Sequence, residues 1–161
     1  MPKIIYKIAT TEEELKGYFA VRRAIFTEEQ GLFATSDRDE HDDYAIHIVA
    51  VDQDTGAVIG AVRCYEAGGG VWYWGRLAVL KEYRRIAGLV GCRLVRMAED
   101  VVRERGCRRF LAFIQLQNVR FFRHLGWREV GEPELHYGQL HQEMEANLLA
   151  VNTKMRPVAH V

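Results

Sequence analysis

Residues 81–91 read Lys-Glu-Tyr-Arg-Arg-Ile-Ala-Gly-Leu-Val-Gly. Arg84 and Arg85 offer charge-assisted, bidentate donors, and Gly88 and Gly91 let a ligand approach the main chain. A regularly amphipathic segment follows, so the unpaired N–H groups and positive end of a helix meet the same loop. That combination favours a bound phosphate; solvated arginines on an exposed turn are the plainer alternative. Side chains suited to move a proton are fewer. His141, His124 and Glu29 are candidate general bases, histidine because it changes charge near neutral pH. A histidine that merely donates a ring N–H to a carbonyl is an equal reading of His141. Arg22 and Glu29 stand seven residues apart, two turns along one face if the helix runs that far, and are candidates to bind substrate together. In the run Trp72-Tyr73-Trp74 successive side chains must alternate between sheet faces, and Trp74 is a candidate substrate contact. The stretch Asp37-Arg38-Asp39-Glu40-His41-Asp42-Asp43 invites a metal, but it lacks the sixth-position glycine of a calcium loop. A solvated acidic loop that attracts a cationic substrate is expected instead, with no metal.

Several elements must hold these residues in place. Lys3–Ala9 reads as a strand, and Thr11 with Glu14 forms a capping box for a helix to about residue 27. Ile46–Val51 and Ala57–Tyr65 form a hairpin, and Gly68-Gly69-Gly70 leads to a strand over Val71–Leu80. Leu89–Arg105 is apolar at 90, 94, 97, 98, 101 and 102 and charged between, a helix with one buried face, stopped by Gly106. Phe110–Ile114 is a continuous apolar run, so the strand–helix–strand unit is parallel. A short helix over Gln117–Leu125 and late strands at Trp127–Val130 and Gln142–Leu149 complete one domain over residues 1–150. Residues 151–161 read as a tail.

Leu77-Ala78-Val79 followed by Tyr83-Arg84-Arg85, Gly88 and Gly91 resembles motif A of the GNAT acyltransferases. Asn118-Val119-Arg120-Phe121-Phe122-Arg123-His124-Leu125-Gly126-Trp127 resembles that family's N-x-x-x-x-F/Y-x-x-x-G-F segment. Arg22, Phe26, Glu29 and Gln30, with Gly138-Gln139-Leu140-His141-Gln142-Glu143-Met144, resemble the nitrogen-starvation N-acetyltransferase group. The resemblance implies an α/β GNAT fold: a mixed central sheet with a splayed parallel strand pair, flanked by helices. It implies acetyl-CoA or another acyl-CoA as co-substrate, held by Leu77, Ala78, Val79, Arg84, Arg85, Ala87, Gly88, Leu89, Val90, Gly91, Asn118 and Phe122. The activity implied is direct N-acyl transfer to a primary amine on a small molecule, with the free amide of Val79 or Leu80 facing the reacting carbonyl. Phe122 stands where many members have a tyrosine acid, which keeps a non-catalytic acyl-CoA or metabolite binder as the competing reading. A homodimer is compatible with either.

Composition bounds the rest. With 161 residues, 48% hydrophobic and 27% charged, the chain suits one globular core. Net charge is zero but uneven: residues 1–75 carry a balance of −6, 76–128 of +9 and 129–161 of −3. A basic middle suggests a bound polyanion. An isoelectric point near 7 argues against nucleic acid. No apolar stretch approaches 18 residues, which excludes a membrane span, and no signal peptide is recognised. Cys64, Cys92 and Cys107 are odd in number and show no metal spacing, as expected of reduced thiols in a cytoplasmic protein.

Overall fold

The computed structural model describes residues 3–84 and 87–149. Arg85 and the tail expected over 151–161 lie outside them. Strands β1 (Ile4–Ile8), β2 (Ile46–Asp52), β3 (Val58–Gly68), β4 (Val71–Val79), β5 (Arg109–Gln115), β6 (Arg128–Glu129), β7 (Glu134–His136) and β8 (Gln139–Glu145) form one sheet. Its order is β1-β2-β3-β4-β5-β8-β6, with β7 also on β8. Helices α1 (Glu12–Arg22), α2 (Ala87–Glu104) and α3 (Val119–His124) flank it.

Local chemistry explains the elements. Thr11 caps α1 and Glu14 returns the bond, closing the expected capping box. The helix expected to residue 27 instead changes at Arg23 into a π-helical segment, Arg23–Glu29, a rarity often found at functional sites. Helix α2 buries Val90, Leu94, Val95, Ala98, Val101 and Val102 on one face of the sheet. Each large side chain there contributes about 1.5–3 kcal/mol, and Leu94→Ala should cost about 2–5 kcal/mol. Helix α1 covers the other face, packing Tyr18 and Val21 with Ile25 against Val49, Ala61 and Ala78. Gly17 brings α1 close to β3, since a Cβ there would sit 2.6 Å from Val58.

Two irregularities in β4 position the site. First, β4 and β5 are parallel but pair only at Val71–Arg109, Trp72–Phe110 and Tyr73–Leu111. Beyond Tyr73 the two strands part, as the resemblance implied. Second, the β3–β4 register slips by one residue between Gly75 and Ala78, and Arg76 in the bulge has a φ of 56°. The extra residue flips the alternation. Trp72 and Trp74 face α2 before it, and Leu77 and Val79 do so after it.

The late strands differ from expectation. Only Arg128–Glu129 of the third-last strand is extended, and β8 begins at Gln139 rather than 142. Strand β7 was not expected. It pairs His136 with Gln139 across a two-residue turn, Tyr137-Gly138, in which both residues have positive φ, the geometry that matches strand twist in a tight hairpin.

Candidate active site

A cavity of about 490 Å³ opens where β4 and β5 part. Trp74, Ile114 and Phe122 line it from the α2 and α3 side of the sheet; Tyr65, Tyr73 and Phe113 line it from the opposite side. It therefore draws on both faces through the gap. Trp74 and Phe122 pack ring to ring at 5.4 Å. Trp74 lines the cavity from the α3 face, and Tyr73 lines it from the opposite face.

The main chain of β4 is prepared for a ligand. Leu80 donates to the Ile59 carbonyl at 2.9 Å, which corrects the expectation that its amide is free. Ladder pairs alternate in an antiparallel sheet. The Val79 peptide groups therefore turn from β3 toward the gap. The Val79 carbonyl accepts from Arg84 Nε at 3.2 Å. Helix α2 starts at Ala87, so its first turn meets the same end of β4. Gly91 in it is buried, yet a Cβ there would meet no atom of the described residues within 4 Å. The helix N-terminus and the turned main chain of Val79 suit an extended, anionic ligand. Val90 is core and Leu89 is half exposed, so those two contribute main chain rather than side chains.

Arg84 is engaged. Its Nη1 and Nη2 donate to the two oxygens of Glu29, both at 2.7 Å. The hydrogen bonds from Arg84 hold the Glu29 carboxyl below its ordinary range, which weakens it as a base. Glu29 does not line the cavity, though its neighbour Gln30 does. The expected Arg22–Glu29 pair does not form. Arg22 is fully buried and binds Asp37 and Asp42 instead, at 2.7 Å each, because the chain folds the acidic run back over it.

That run is the largest correction. Asp37 is buried, and Asp39 and Asp42 are largely so. Arg63 from β3 grips Asp39 with two bonds of 2.6 and 2.8 Å and reaches Asp42 at 3.0 Å. Arg76 from the bulge donates to the Asp37 carbonyl and carboxylate and to Asp39. Three arginines and three aspartates thus cancel, so the loop is clamped rather than solvated. Burial pushes the Asp42 carboxyl up, but the bonds from Arg22 and the Asp39 amide outweigh it and hold it far below the usual range. Asp39 is lowered in the same way, chiefly by Arg63.

His141 is buried at the cavity wall on β8. Its Nδ1 lies 2.9 Å from the Gln139 carbonyl. A carbonyl only accepts, so Nδ1 carries the hydrogen and Nε2 keeps its lone pair when the ring is neutral. Asn118 also lines the cavity. His124 ends α3 on the exposed surface and does not line it. His47 packs on Tyr18 and Phe19, away from the cavity, and burial pushes its ring toward the neutral form. Tyr73 donates to Glu143 at 2.9 Å. Burial, with that carboxylate, pushes its phenol up to about 12. Burial likewise pushes the thiols of Cys64 and Cys107 up to about 12 and about 11, so neither is a thiolate nucleophile at neutral pH.

Five arginines of the basic middle are engaged by carboxylates. Arg109 and Arg128 share Glu145, Arg96 holds Glu99, Arg103 holds Asp100 and Arg123 holds Glu129. Among the described residues no cluster of metal-ligating side chains occurs, and no helix is long and apolar enough to cross a membrane.

A parting parallel pair, a bulged β4 and a helix N-terminus at the gap define a class of transferases that use acyl-CoA as co-substrate. The chain belongs to the acetyltransferase (GNAT) family, whose profile matches residues 8–127. It is 33% identical over 127 residues to YjcF of Bacillus subtilis (strain 168), an uncharacterized N-acetyltransferase; the overlap takes in 79% of this chain and 87% of that one. A provisionally named N-acetyltransferase from Lactobacillus plantarum superposes with a TM-score of 0.78 at 26% identity, covering 91% of this chain and 97% of its own. BjaI, a CoA-dependent acyl-homoserine lactone synthase, shares the fold at TM-score 0.72 and 18% identity, covering 95% of this chain and 87% of its own.

Proposed function

We propose that this chain is an N-acyltransferase, with acetyl the favoured group, that passes an acyl group from acyl-CoA directly to a primary amine. One observation carries the reading: the cavity reaches both faces of the sheet through the β4–β5 gap, so two substrates can meet there from opposite sides. The co-substrate would lie along β4 and the first turn of α2, held by the main chain of Leu77, Ala78 and Val79, by the amides from Ala87 to Gly91, and by Arg84 and Arg85. Bound there, it supplies an activated acyl carbonyl. The Val79 N–H donates to that carbonyl oxygen. Phe122 and Trp74 keep the α3 side apolar and dry. On the other face His141 Nε2 accepts a proton from the amine, which is protonated at neutral pH. Phe122 has no proton to give, so protonation of the departing thiolate falls to water. The setting we propose is cytoplasmic. Kinship with the nitrogen-starvation group stays a proposal that rests on the sequence segments alone.

Saturating acetyl-CoA should raise the melting temperature by mass action, and the Arg84→Ala/Arg85→Ala double variant should fold yet lose that rise. Unchanged affinity in the double variant would sink the phosphate assignment. An unmoved melting curve with every acyl-CoA would sink the whole reading, and binding with no thiol release across an amine library would leave a non-catalytic binder. His141→Gln should lower turnover by roughly a hundredfold and remove a pH–rate inflection. Near-normal turnover would make His141 a structural pin.

A further inference from the structure

Two independent features of the cavity bear on which amine it takes. The first is a row of rings on the face opposite α2. His41 stacks on Tyr65 with ring centroids 4.1 Å apart, Tyr65 lies beside Tyr73 at 6.2 Å, and Tyr73 beside Phe113 at 5.7 Å. The planes of these pairs differ by only 10°, 18° and 11°. His136 from β7 continues the row, 4.4 Å from Phe113. Phe33 and Tyr137 meet at 4.7 Å, with the Arg76 guanidinium 4.8 Å from the Phe33 ring. All of these rings line the cavity. Aromatic walls favour an aromatic guest beyond simple area burial, because the edge of one ring attracts the face of another.

The second feature is charge. Among the described residues lining the cavity, the permanently charged cations are Arg63 and Arg76, and both are committed to Asp37, Asp39 and Asp42. The cluster is neutral: each of its guanidinium groups is ion-paired, although Arg63 Nε makes no hydrogen bond among the described residues. An acceptor carboxylate or phosphate entering the cavity would find, among the described lining residues, no permanent cation without a carboxylate partner. A second ammonium would find one carboxylate, Glu40 on the exposed rim, for which no ion pair occurs among the described residues.

We propose that the acceptor is a monoamine on an uncharged aromatic body, a substrate of the arylalkylamine kind, rather than an amino acid, a polyamine or a peptide side chain. This rests on the acyl-transfer reading above. The ring row holds the flat body, and the neutral cluster rejects an anionic substituent.

The experiment compares 2-phenylethylamine with three amines: 2-cyclohexylethylamine, which is saturated; L-phenylalanine, which adds only a carboxylate; and spermidine. Thiol release from acetyl-CoA gives kcat/KM. Direct titration of each amine, followed by tryptophan fluorescence without acetyl-CoA, gives affinity. Phenylethylamine should exceed 2-cyclohexylethylamine by roughly tenfold, the size of one ring–ring contact, and should also exceed L-phenylalanine and spermidine. Phe113→Leu keeps apolar volume, and in a variant with an unchanged melting curve it should bring the phenyl-to-cyclohexyl ratio close to one. Equal or better use of L-phenylalanine or spermidine overturns the proposal, as does no saturable binding of phenylethylamine. Failure of acetyl-CoA to bind would defeat the acyl-transfer reading instead, while the amine titration still decides the ring row.

Discussion

Two of the molecule's arginine–carboxylate pairs look alike in sequence and differ in what surrounds them. Arg22 holds Asp37 with both side chains almost fully buried, 0% and 3% exposed. Arg84 holds Glu29 with both 38% exposed. The buried pair belongs to a six-residue neutral cluster, so each charge depends on its partners. The outer pair is isolated and screened by water. An arginine that can leave its partner at little cost can greet a ligand; an arginine that cannot is architecture. Burial, and not residue type, separates the arginine proposed to meet the co-substrate from those that hold the scaffold.

The sharpest way to break the contrast is Arg22→Met, which keeps most of the volume and leaves three largely buried aspartates to two arginines, Arg63 and Arg76. Unfolding in urea should show a loss of about 3–5 kcal/mol, where Arg84→Ala leaves the urea midpoint unchanged. Comparable midpoints in the two variants would erase the distinction.

Acid should probe the same cluster more gently. Asp39 and Asp42 have folded pKa values below their unfolded ones. Their contribution is therefore complete above the unfolded value, about 4, and is lost as pH falls through the folded values. The urea midpoint should drop below about pH 4 in the wild type and drop less in Arg22→Met. Burial raises the Glu99 carboxyl, the opposite sign. Arg22 does not touch it, so the difference between the two proteins isolates the cluster. Parallel curves would mean the aspartates are not held as described.

The smallest effect belongs to the exposed pair. Glu29→Gln frees Arg84, so acetyl-CoA should bind a few-fold tighter, a change within the range of surface pairs. Isothermal titration at low salt would read it, and weaker binding would show that Glu29 steadies the loop instead of competing for it.

Much of this was legible in the sequence because it rests on local rules. The capping box, the stripe of α2 and the apolar run of β5 are short-range patterns, and the order of the motif segments placed the gap and the helix N-terminus. The fate of the acidic run was not legible, because its partners arrive from α1, β3 and β4. One signal did exist: Arg63 sits within the otherwise apolar Val58–Cys64, where a cation must find a carboxylate. The partner of Glu29 was not legible for the same reason, since Arg84 lies 55 residues away. Strand β7 escaped because three residues carry no periodicity, and the π-helical segment because its apolar residues fit an α-helix equally well. Tyr65, Tyr73 and Phe113 form a row only once three strands are in register.

The cluster also has a consequence for rates. Its bonds join positions 15 to 39 residues apart, and they need α1, the bulge in β4 and the loop between α1 and β2 all in place. Such contacts pay their closure entropy late in folding. Interactions absent from the transition state leave the folding rate nearly untouched and slow the reverse reaction. The cluster should therefore act as a brake on unfolding, lengthening the lifetime of the closed cavity wall more than it hastens its formation.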